Sequence, residues 1–279
     1  MARPTWQRAA SSGLVRAGTA GVGLIILAAL AGAWLAPHDP LAMNLGQGLQ
    51  GPSWSHPLGT DALGRCLLSR LLVGARYSLG LSAAVVAATM ALGAAVGSLA
   101  GMAGGKTDLL LSRVIDLFLA VPPLVMALGI IGGLGPSLGN LLLALLLSYW
   151  APYARLTRGM VIAGKEREFV EASRLAGSRG LALFRRCLLP QILPALLVLA
   201  SLEAGMMVAV NAGLSFLGIG VQPPTPEWGV MLYDARLALS SNPWVLVPPS
   251  ATLCLAVLSF NLLGEGLRDA LQVRKVSRF

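Results

Sequence analysis

Long apolar runs alternate with short polar segments along this chain. A membrane-spanning helix needs about 20 mainly apolar residues, and six runs approach that length, at residues 17–36, 77–102, 109–134, 138–153, 192–216 and 245–263. Between the first two runs lies a Gly- and Pro-rich segment that ends in a predicted surface helix, capped by Thr60 or Asp61. The pattern predicts an all-α membrane protein with six transmembrane helices.

The composition agrees with this prediction. Hydrophobic residues make up 56% of the 279 residues and charged residues only 12%, whereas soluble domains hold about 45–50% and about 25%. The first apolar run ends in Trp34 and Leu35 and lacks the small-residue exit of a cleaved signal peptide. We therefore expect a retained anchor.

The basic residues predict the orientation in the membrane. If the N-terminus is cytoplasmic, 3 basic residues precede the first run, 2 lie around the start of the third (Lys106 and Arg113), 8 lie from residue 155 to 186, and 4 lie from residue 268 onward. That places 17 of the 21 on the cytoplasmic side, as the positive-inside rule requires. Both termini are predicted to be cytoplasmic. The net charge of +9 is thereby explained without nucleic-acid binding, for which no module is recognisable.

Little in the chain points to catalysis or to a cofactor. The stretch "GMAGGKT" at 101–107 follows an apolar run and has Ala100 where a phosphate-binding loop needs its first glycine, so we interpret it as a tight turn. No histidine lies in a predicted span, and His38 and His56 are interpreted as polar loop residues, with a metal site that uses them as the alternative. The cysteines lack metal or redox spacing. We expect no enzyme activity, no metal site and no cofactor bound to this chain.

Charged and polar residues inside apolar runs are candidates for function. Asp116 follows Arg113 by three residues, so the two are expected to neutralise each other on one helix face, with a transport role as the alternative. Glu203 has no obvious partner in its own helix and faces either a water-filled path or another helix. Asn211 lies further along the same helix. Glu203 and Asn211 are therefore the candidates for a translocation path.

The segment 165–190, "KEREFVEASRLAGSRGLALFRRCLLP", is unusually charged for this chain. Phe169, Ala172, Leu175 and Ala176 recur at helical spacing and form an apolar stripe. Gly177 and the glycine three residues later predict a sharp turn before a second short helix. A helix pair that projects from the membrane is a docking surface, and a helix lying on anionic lipid is the alternative.

The order of residues in this segment resembles the EAA loop of ATP-binding-cassette importer permeases. That pattern is Glu-Ala-Ala, three residues, Gly, nine residues and Ile-x-Leu-Pro. The matching positions are Glu171, Ala172, Gly177, Leu189 and Pro190, with Ser173 for the second alanine and Cys187 for the isoleucine. The stretches 56–76, 213–232 and 260–271 are also similar to the second permease of dipeptide, oligopeptide and nickel importers, although Cys66 replaces a usually acidic residue.

The resemblance implies a type I importer permease in the cytoplasmic membrane. Residues 1–76 would hold the cytoplasmic N-terminus, first span and periplasmic segment, residues 77–271 the five-helix core, and residues 272–279 a cytoplasmic tail. The partners implied are a second, distinct permease chain, two ATPase subunits that bind the ATP, and an external substrate-binding protein. The ATPases would engage Glu171, Ala172, Ser173, Gly177, Leu189 and Pro190.

The resemblance leaves the substrate open. "QPPTPEWG" looks like the dipeptide permeases, and "EWGVMLYDAR" looks somewhat like the nickel permeases. We expect di- or oligopeptides, with nickel or a metal–chelator complex as the alternative. A stand-alone secondary transporter is the alternative class. It would carry inverted repeats or half-helices with midplane charges.

Overall fold

The computed structural model describes residues 13–276, which form helices joined by turns and short irregular segments. The helices are α1 Gly13–Leu35, α2 Leu67–Ala103, α3 Gly105–Ala120, α4 Pro123–Leu134, α5 Leu138–Tyr149, α6 Ala151–Lys165, α7 Glu168–Leu175, α8 Gly180–Leu183, α9 Leu189–Phe216, α10 Trp228–Arg236 and α11 Val247–Val276. A π-helical segment, Phe184–Leu188, joins α8 to α9. The helical prediction is confirmed over this range. The predicted cytoplasmic residues Arg3 and Arg8, and the last three residues of the predicted tail, lie outside it.

Four helical stretches are long and apolar enough to cross a membrane. They are Val15–Leu35, Leu67–Ala103, Gly180–Phe216 and Pro243–Asp269. A fifth span arises if α3 and α4, which meet at an angle of 86°, are counted together. The predicted fourth run is divided between α5 and α6, neither of which is long enough alone. Residues 13–276 therefore contain four or up to five candidate spans, and six spans stay a prediction.

Proline causes the bend in the predicted third span. Val121 has an extended backbone (φ −97°, ψ 130°) where α3 ends, and Pro122 and Pro123 follow it. A residue before proline is pushed out of the α-helical region because the proline ring clashes with it. The apolar run is continuous here, but the helix is not.

The predicted helix beginning at Thr60 or Asp61 is wrong at its start. Residues 60–66 form a tight loop closed by an antiparallel bridge between Thr60 and Cys66, and α2 begins only at Leu67. The Asp61 carboxylate accepts hydrogen bonds from the backbone N–H of Leu63 and of Arg65, at 2.9 and 3.0 Å. These bonds stabilise a turn in place of a helix. From Leu67 the helix continues without a break through the predicted domain boundary at residue 76.

The chain divides into two compact units. The first comprises Met1–Ala84, Ile131–Leu142 and Leu202–Phe279. In it α1 packs along α11, and the fully buried Trp228 of α10 donates from its indole N–H to the carbonyl oxygen of Leu71, at 3.1 Å. This bond satisfies the polar atom of a large side chain that is otherwise surrounded by apolar residues.

The second unit comprises Val85–Ile130 and Leu143–Ser201. Within it, Gly93, Gly97 and Gly101 lie one turn apart along α2 and face α6. A Cβ atom at Gly97 would lie 2.9 Å from the Cβ of Thr157, closer than real side chains approach. Small residues at this spacing let two helix backbones approach closely, which is a common form of packing in membranes.

Acidic residues of α3 pair with α6 in this unit. Asp108 accepts two hydrogen bonds from the Arg158 guanidinium, at 2.5 and 2.7 Å. Asp116 forms an ion pair with Arg155 at 2.6 Å, so the expected pairing with Arg113 is wrong. The Asp116 carboxylate thus pairs with an arginine of the neighbouring helix α6 and not with the arginine of its own helix.

Candidate functional site

The segment 165–190 folds as two short helices joined by a sharp turn, as predicted. The first, α7, ends at Leu175, and Gly177 follows with a positive φ of +91°. The N–H of Gly177 bonds to the carbonyl of Arg174 at 2.9 Å, and the N–H of Ser178 bonds to that of Ser173 at 3.0 Å. This pair of bonds is a Schellman motif, whose left-handed position favours glycine. Gly180 is also left-handed, at +51°, and starts α8.

Buried and polar contacts hold the helix pair on the second unit. The Val170 side chain of α7 is buried in a cluster that includes Leu183, Leu188 and Ile192. The Lys165 ammonium donates to the carbonyl oxygen of Gly101 at 2.8 Å. These contacts fix α7 to the body of the unit at its start and at its centre.

The two ends of the EAA-like pattern are linked to each other. The Cys187 thiol donates to the Ser173 hydroxyl at 3.3 Å. The Gln191 side chain bridges the same region: its amide nitrogen donates to the Cys187 carbonyl at 2.6 Å, and its oxygen accepts from the Arg167 guanidinium at 2.7 Å. Leu189 is half-buried and Pro190 exposed in the first turn of α9. The two departures from the pattern, Ser173 and Cys187, thus contact each other.

The predicted apolar stripe is exposed. The stripe residues on and just after α7 are Phe169, Ala172, Leu175 and Ala176, and all four are exposed. Leu175 is 86% exposed and Leu181 of α8 is 65% exposed. Glu171 and Gly177 are exposed beside them. The helix pair therefore presents an apolar surface with a carboxylate, while Val170 on the opposite side provides its attachment.

The two candidates for a translocation path lie on α9. Asn211 is fully buried and donates from its side-chain amide to the Ser82 hydroxyl at 2.8 Å, within the first unit. Its side-chain oxygen is buried and has no hydrogen-bond partner among the described residues. Glu203 is half-buried, two turns earlier on the same helix.

Sequence reasoning missed a buried charge network in the first unit. Asp61 accepts hydrogen bonds from Arg65, at 2.7 Å, and from Arg70. Asp234 of α10 accepts from Arg65 at 2.8 Å and from Arg70 at 3.3 Å. Two carboxylates and two guanidiniums thus neutralise one another where α2 begins.

The acidic residue of "PEWG" is part of a second buried contact. Glu227 caps α10: one carboxylate oxygen accepts from the N–H of Val230 at 3.0 Å and the other from the Ser78 hydroxyl at 2.9 Å. Ser78 in turn accepts from the N–H of Trp228 at 3.1 Å. These bonds connect α2 to α10 within the first unit. Glu227 is not one of the usual N-cap residues, so neither this cap nor its partner Ser78 is readable in the sequence.

The two histidines and Cys66 lie together, against the expectation of isolated loop residues. One ligand atom each from His38, His56 and Cys66 falls within 4.8 Å of the other two. The two imidazole rings are 4.5 Å apart between centroids. Burial lowers the pKa of His56, and the neighbouring His38 lowers it further. The cysteine spacing along the chain could not reveal this cluster, since the three residues are far apart in sequence.

Residues 93–277 match the family of binding-protein-dependent transport system inner membrane components. This chain belongs to that family. The match covers part of the first unit, most of the second unit and the whole EAA-like segment. The protein is accordingly a permease subunit of an ATP-binding-cassette importer, located in the inner membrane.

The named relatives are all permease proteins of transport systems, and the substrates in their names differ. The permease is 42% identical to the nickel transport system permease protein NikC of Escherichia coli K12, over 92% of each chain. It is also 42% identical to the di/tripeptide transport system permease protein DppC of Pseudomonas aeruginosa, over 95% of this chain and 90% of that one. A glutathione transport system permease protein, GsiD of Pectobacterium atrosepticum, is 37% identical over 90% and 85%.

A solved structure supports the fold. The permease aligns with a chain of the inward-facing MetNI methionine ABC transporter with a TM-score of 0.50, covering 72% of this chain and 95% of that one. At 19% identity this likeness concerns the fold alone. It agrees with the predicted importer-permease architecture.

Proposed function

We propose that this permease subunit imports di- or oligopeptides and that α7, the Gly177 turn and α8 are its docking surface for a cytoplasmic ATPase. The observation that carries the proposal is the exposed apolar surface around Leu175. Exposed apolar patches bordered by polar residues mark interaction sites. The stripe would be costly on a free helix, so a partner that covers it explains why it is apolar.

The attachment of the segment to the second unit supports a mechanical role. A docking element can transmit force only if its attachment does not yield, and here Val170, Lys165 and the link between Cys187 and Ser173 join it to the unit. The continuous path from α8 through the π-helical segment into α9 leads from the docking surface into a candidate span. ATP-driven movement of an ATPase would therefore act directly on that span.

The proposed assembly contains two permease chains, two ATPase subunits and an external substrate-binding protein. Glu171, Ala172, Ser173 and Gly177 face the ATPase, and Leu189 and Pro190 form the junction with the span. The proposed topology has six spans with both termini cytoplasmic. It puts the segment 165–190 in the cytoplasm, and the loop between α1 and α2 outside.

We propose Glu203 as the residue that lines the translocation path, with Asn211 as its neighbour on α9. An ionisable residue within a span marks a substrate or ion pathway by default. The Asn211 bond to Ser82 ties α9 to α2 within the first unit. Asn211 would thus hold the polar side of α9 in place.

Docking is tested by placing a carboxylate in the exposed stripe. Leu175→Asp is expected to abolish co-purification of the ATPase subunits and ATP-dependent uptake, because an apolar contact loses area and gains a desolvated charge. Leu237→Asp, at a 73% exposed leucine after α10, is the matched control and should retain both. Equal retention by the two variants, with membrane insertion intact, would contradict docking and favour a helix that lies on lipid.

The substrate is tested by uptake of a labelled dipeptide and of labelled nickel in parallel, in cells with and without this permease. Loss of dipeptide uptake alone is the expected result. Loss of nickel uptake alone would establish the alternative, which the His38, His56 and Cys66 cluster favours. Uptake that needs no ATPase partner would instead indicate a secondary transporter.

A further inference from the structure

The loop between α1 and α2 contains three side chains that bind transition metals in proteins. We propose that His38, His56 and Cys66 form a three-ligand site for a borderline divalent transition metal, of the class of Co²⁺, Ni²⁺ and Zn²⁺. Two imidazoles and one thiolate are ligands that this class of ion prefers over the hard ions Ca²⁺ and Mg²⁺. This binding goes beyond the proposed transport function and does not depend on it.

The three ligands come from separate parts of the loop, and each is fixed by its backbone. The N–H of His38 donates to the Ser69 hydroxyl at 3.0 Å, next to the start of α2. The N–H of His56 donates to the Ser53 hydroxyl at 3.0 Å. Cys66 forms the bridge with Thr60. Local bonds thus fix His56 and Cys66 within the loop, and a contact with α2 fixes His38.

The geometry around His56 leaves one ring nitrogen for a ligand. Its Nε2 lies 3.4 Å from the side-chain oxygen of Gln47, a distance compatible with a weak hydrogen bond donated by the ring. Its Nδ1 is buried and has no hydrogen-bond partner among the described residues. A metal-binding histidine typically donates from one ring nitrogen to an oxygen and offers the lone pair of the other. The buried, unpartnered Nδ1 is the expected acceptor of a metal ion.

The separations suit a metal ion after a small adjustment. Ligand atoms bound tetrahedrally at about 2.0–2.3 Å from an ion lie about 3.3–3.8 Å from each other. Here they lie within 4.8 Å of each other. His56 and Cys66 are 7% and 2% exposed, whereas His38 is exposed. Rotation of the His38 side chain can therefore close the site, and the same side gives an ion access from solvent.

Three protein ligands leave a fourth position open. Sites with three protein ligands commonly keep water or a bound group in that position. In the proposed topology this position faces the outside of the membrane. A water molecule or a donor group of an arriving molecule would occupy this fourth coordination position.

The test uses the full-length permease, purified in detergent with a tag that contains no histidine and kept reduced with a phosphine. Co²⁺ is the probe, because a thiolate ligand gives it a charge-transfer absorption in the near ultraviolet. Wild type is expected to bind a single Co²⁺ per chain and to show this band. Cys66→Ser should lose the band and weaken binding at least about tenfold, since even second-shell changes cost about 10–100-fold.

Two further variants separate the site from folding and from other thiols. His38→Gln changes an exposed side chain, so it should fold normally, keep the thiolate band and bind more weakly. Cys254→Ser removes an exposed cysteine of α11 and should bind like wild type. Failure of wild type to bind Co²⁺ stoichiometrically, or equal binding by Cys66→Ser and wild type, would overturn the site. Either failure would leave the transport proposal untouched, because that is measured by uptake and ATPase association.

Discussion

Gly177 shows how much of the docking segment depends on one residue. Its φ of +91° is rarely adopted by residues with a side chain, and the two Schellman bonds that it permits end α7 and redirect the chain toward α8. A Cβ atom there would meet no other atom within 4 Å. The requirement for glycine is therefore conformational within this chain, and any steric effect of a larger residue would fall on the docked partner.

Asp61 has a different role, because it pairs with two guanidiniums, those of Arg65 and Arg70. Arg70 is only 1% exposed and Arg65 only 3% exposed. Buried charges are tolerated when they are paired, and removal of one partner leaves the others in a poorly solvating environment. The network is therefore sensitive to the loss of a single carboxylate.

We predict that Asp61→Asn lowers the free energy of unfolding by about 3–5 kcal/mol, the usual result of breaking a buried ion pair. Thermal unfolding of the purified permease in detergent measures this effect. Asp116→Asn is the control, since its pair with Arg155 is 53–61% exposed and exposed pairs contribute about 0–1 kcal/mol. Similar melting temperatures for the two variants would show that the buried network does not stabilise the protein.

Individual residues also show which structural features can be predicted from the sequence. Gly177 and the turn were predictable because glycines three residues apart between amphipathic helices are a local signal. The pairing of Arg65 and Arg70 with Asp234 was not, because these arginines lie 169 and 164 positions away from Asp234. The cluster of His38, His56 and Cys66 was not predictable either, because its members are also separated along the chain. Spacing rules for metal ligands detect only residues that are close along the chain.

At the scale of elements, α2 is organised by its glycines. Gly93, Gly97 and Gly101 let α6 approach, and each would place a Cβ atom against a neighbouring atom of that helix. Gly80 lies on the same helix but is exposed, and a Cβ atom there would meet nothing within 4 Å. The same residue type thus has a packing role at one position of α2 and none at another.

We predict that Gly97→Ala destabilises the permease by about 1–3 kcal/mol, the usual cost of overpacking a close contact. Gly80→Ala should be neutral or stabilise it by about 0.5–1 kcal/mol, because alanine favours helix over glycine. Thermal unfolding of the two variants under identical detergent conditions provides the comparison. If Gly97→Ala loses no more stability than Gly80→Ala, the contact between α2 and α6 tolerates an added methyl group.

Element positions were predictable where apolar length decides them, and not where local breaks do. The first and fifth runs correspond to α1 and α9 with small shifts of their ends, and the sixth corresponds to the beginning of α11, which continues to Val276. The third run is interrupted at Pro122, a signal present in the sequence but outweighed by the continuous apolar character around it. The amphipathic pattern predicts a helix where the loop before α2 lies, because such a pattern gives no sign of the hydrogen bonds that Asp61 accepts.

At the scale of the whole molecule, the charge distribution and the docking segment support the same orientation. The basic residues concentrate between residues 155 and 186, where α7 and α8 also lie. An ATPase that docks on the exposed stripe must be on the same side as that segment. The cluster of His38, His56 and Cys66 lies in the loop between α1 and α2, which is separated from that side by an odd number of predicted spans.

We predict that these two regions react on opposite sides of the membrane. In a cysteine-free background, Ser55→Cys and Ala182→Cys each introduce one thiol at an exposed position, in the α1–α2 loop and in α8. A membrane-impermeant maleimide applied to spheroplasts should label Ser55→Cys at once and label Ala182→Cys only after permeabilisation. Uptake assays on the same cells check that each variant is assembled. The reverse labelling pattern would put the docking surface outside, where no ATP is available, and would refute both the orientation and the coupling role of α7 and α8.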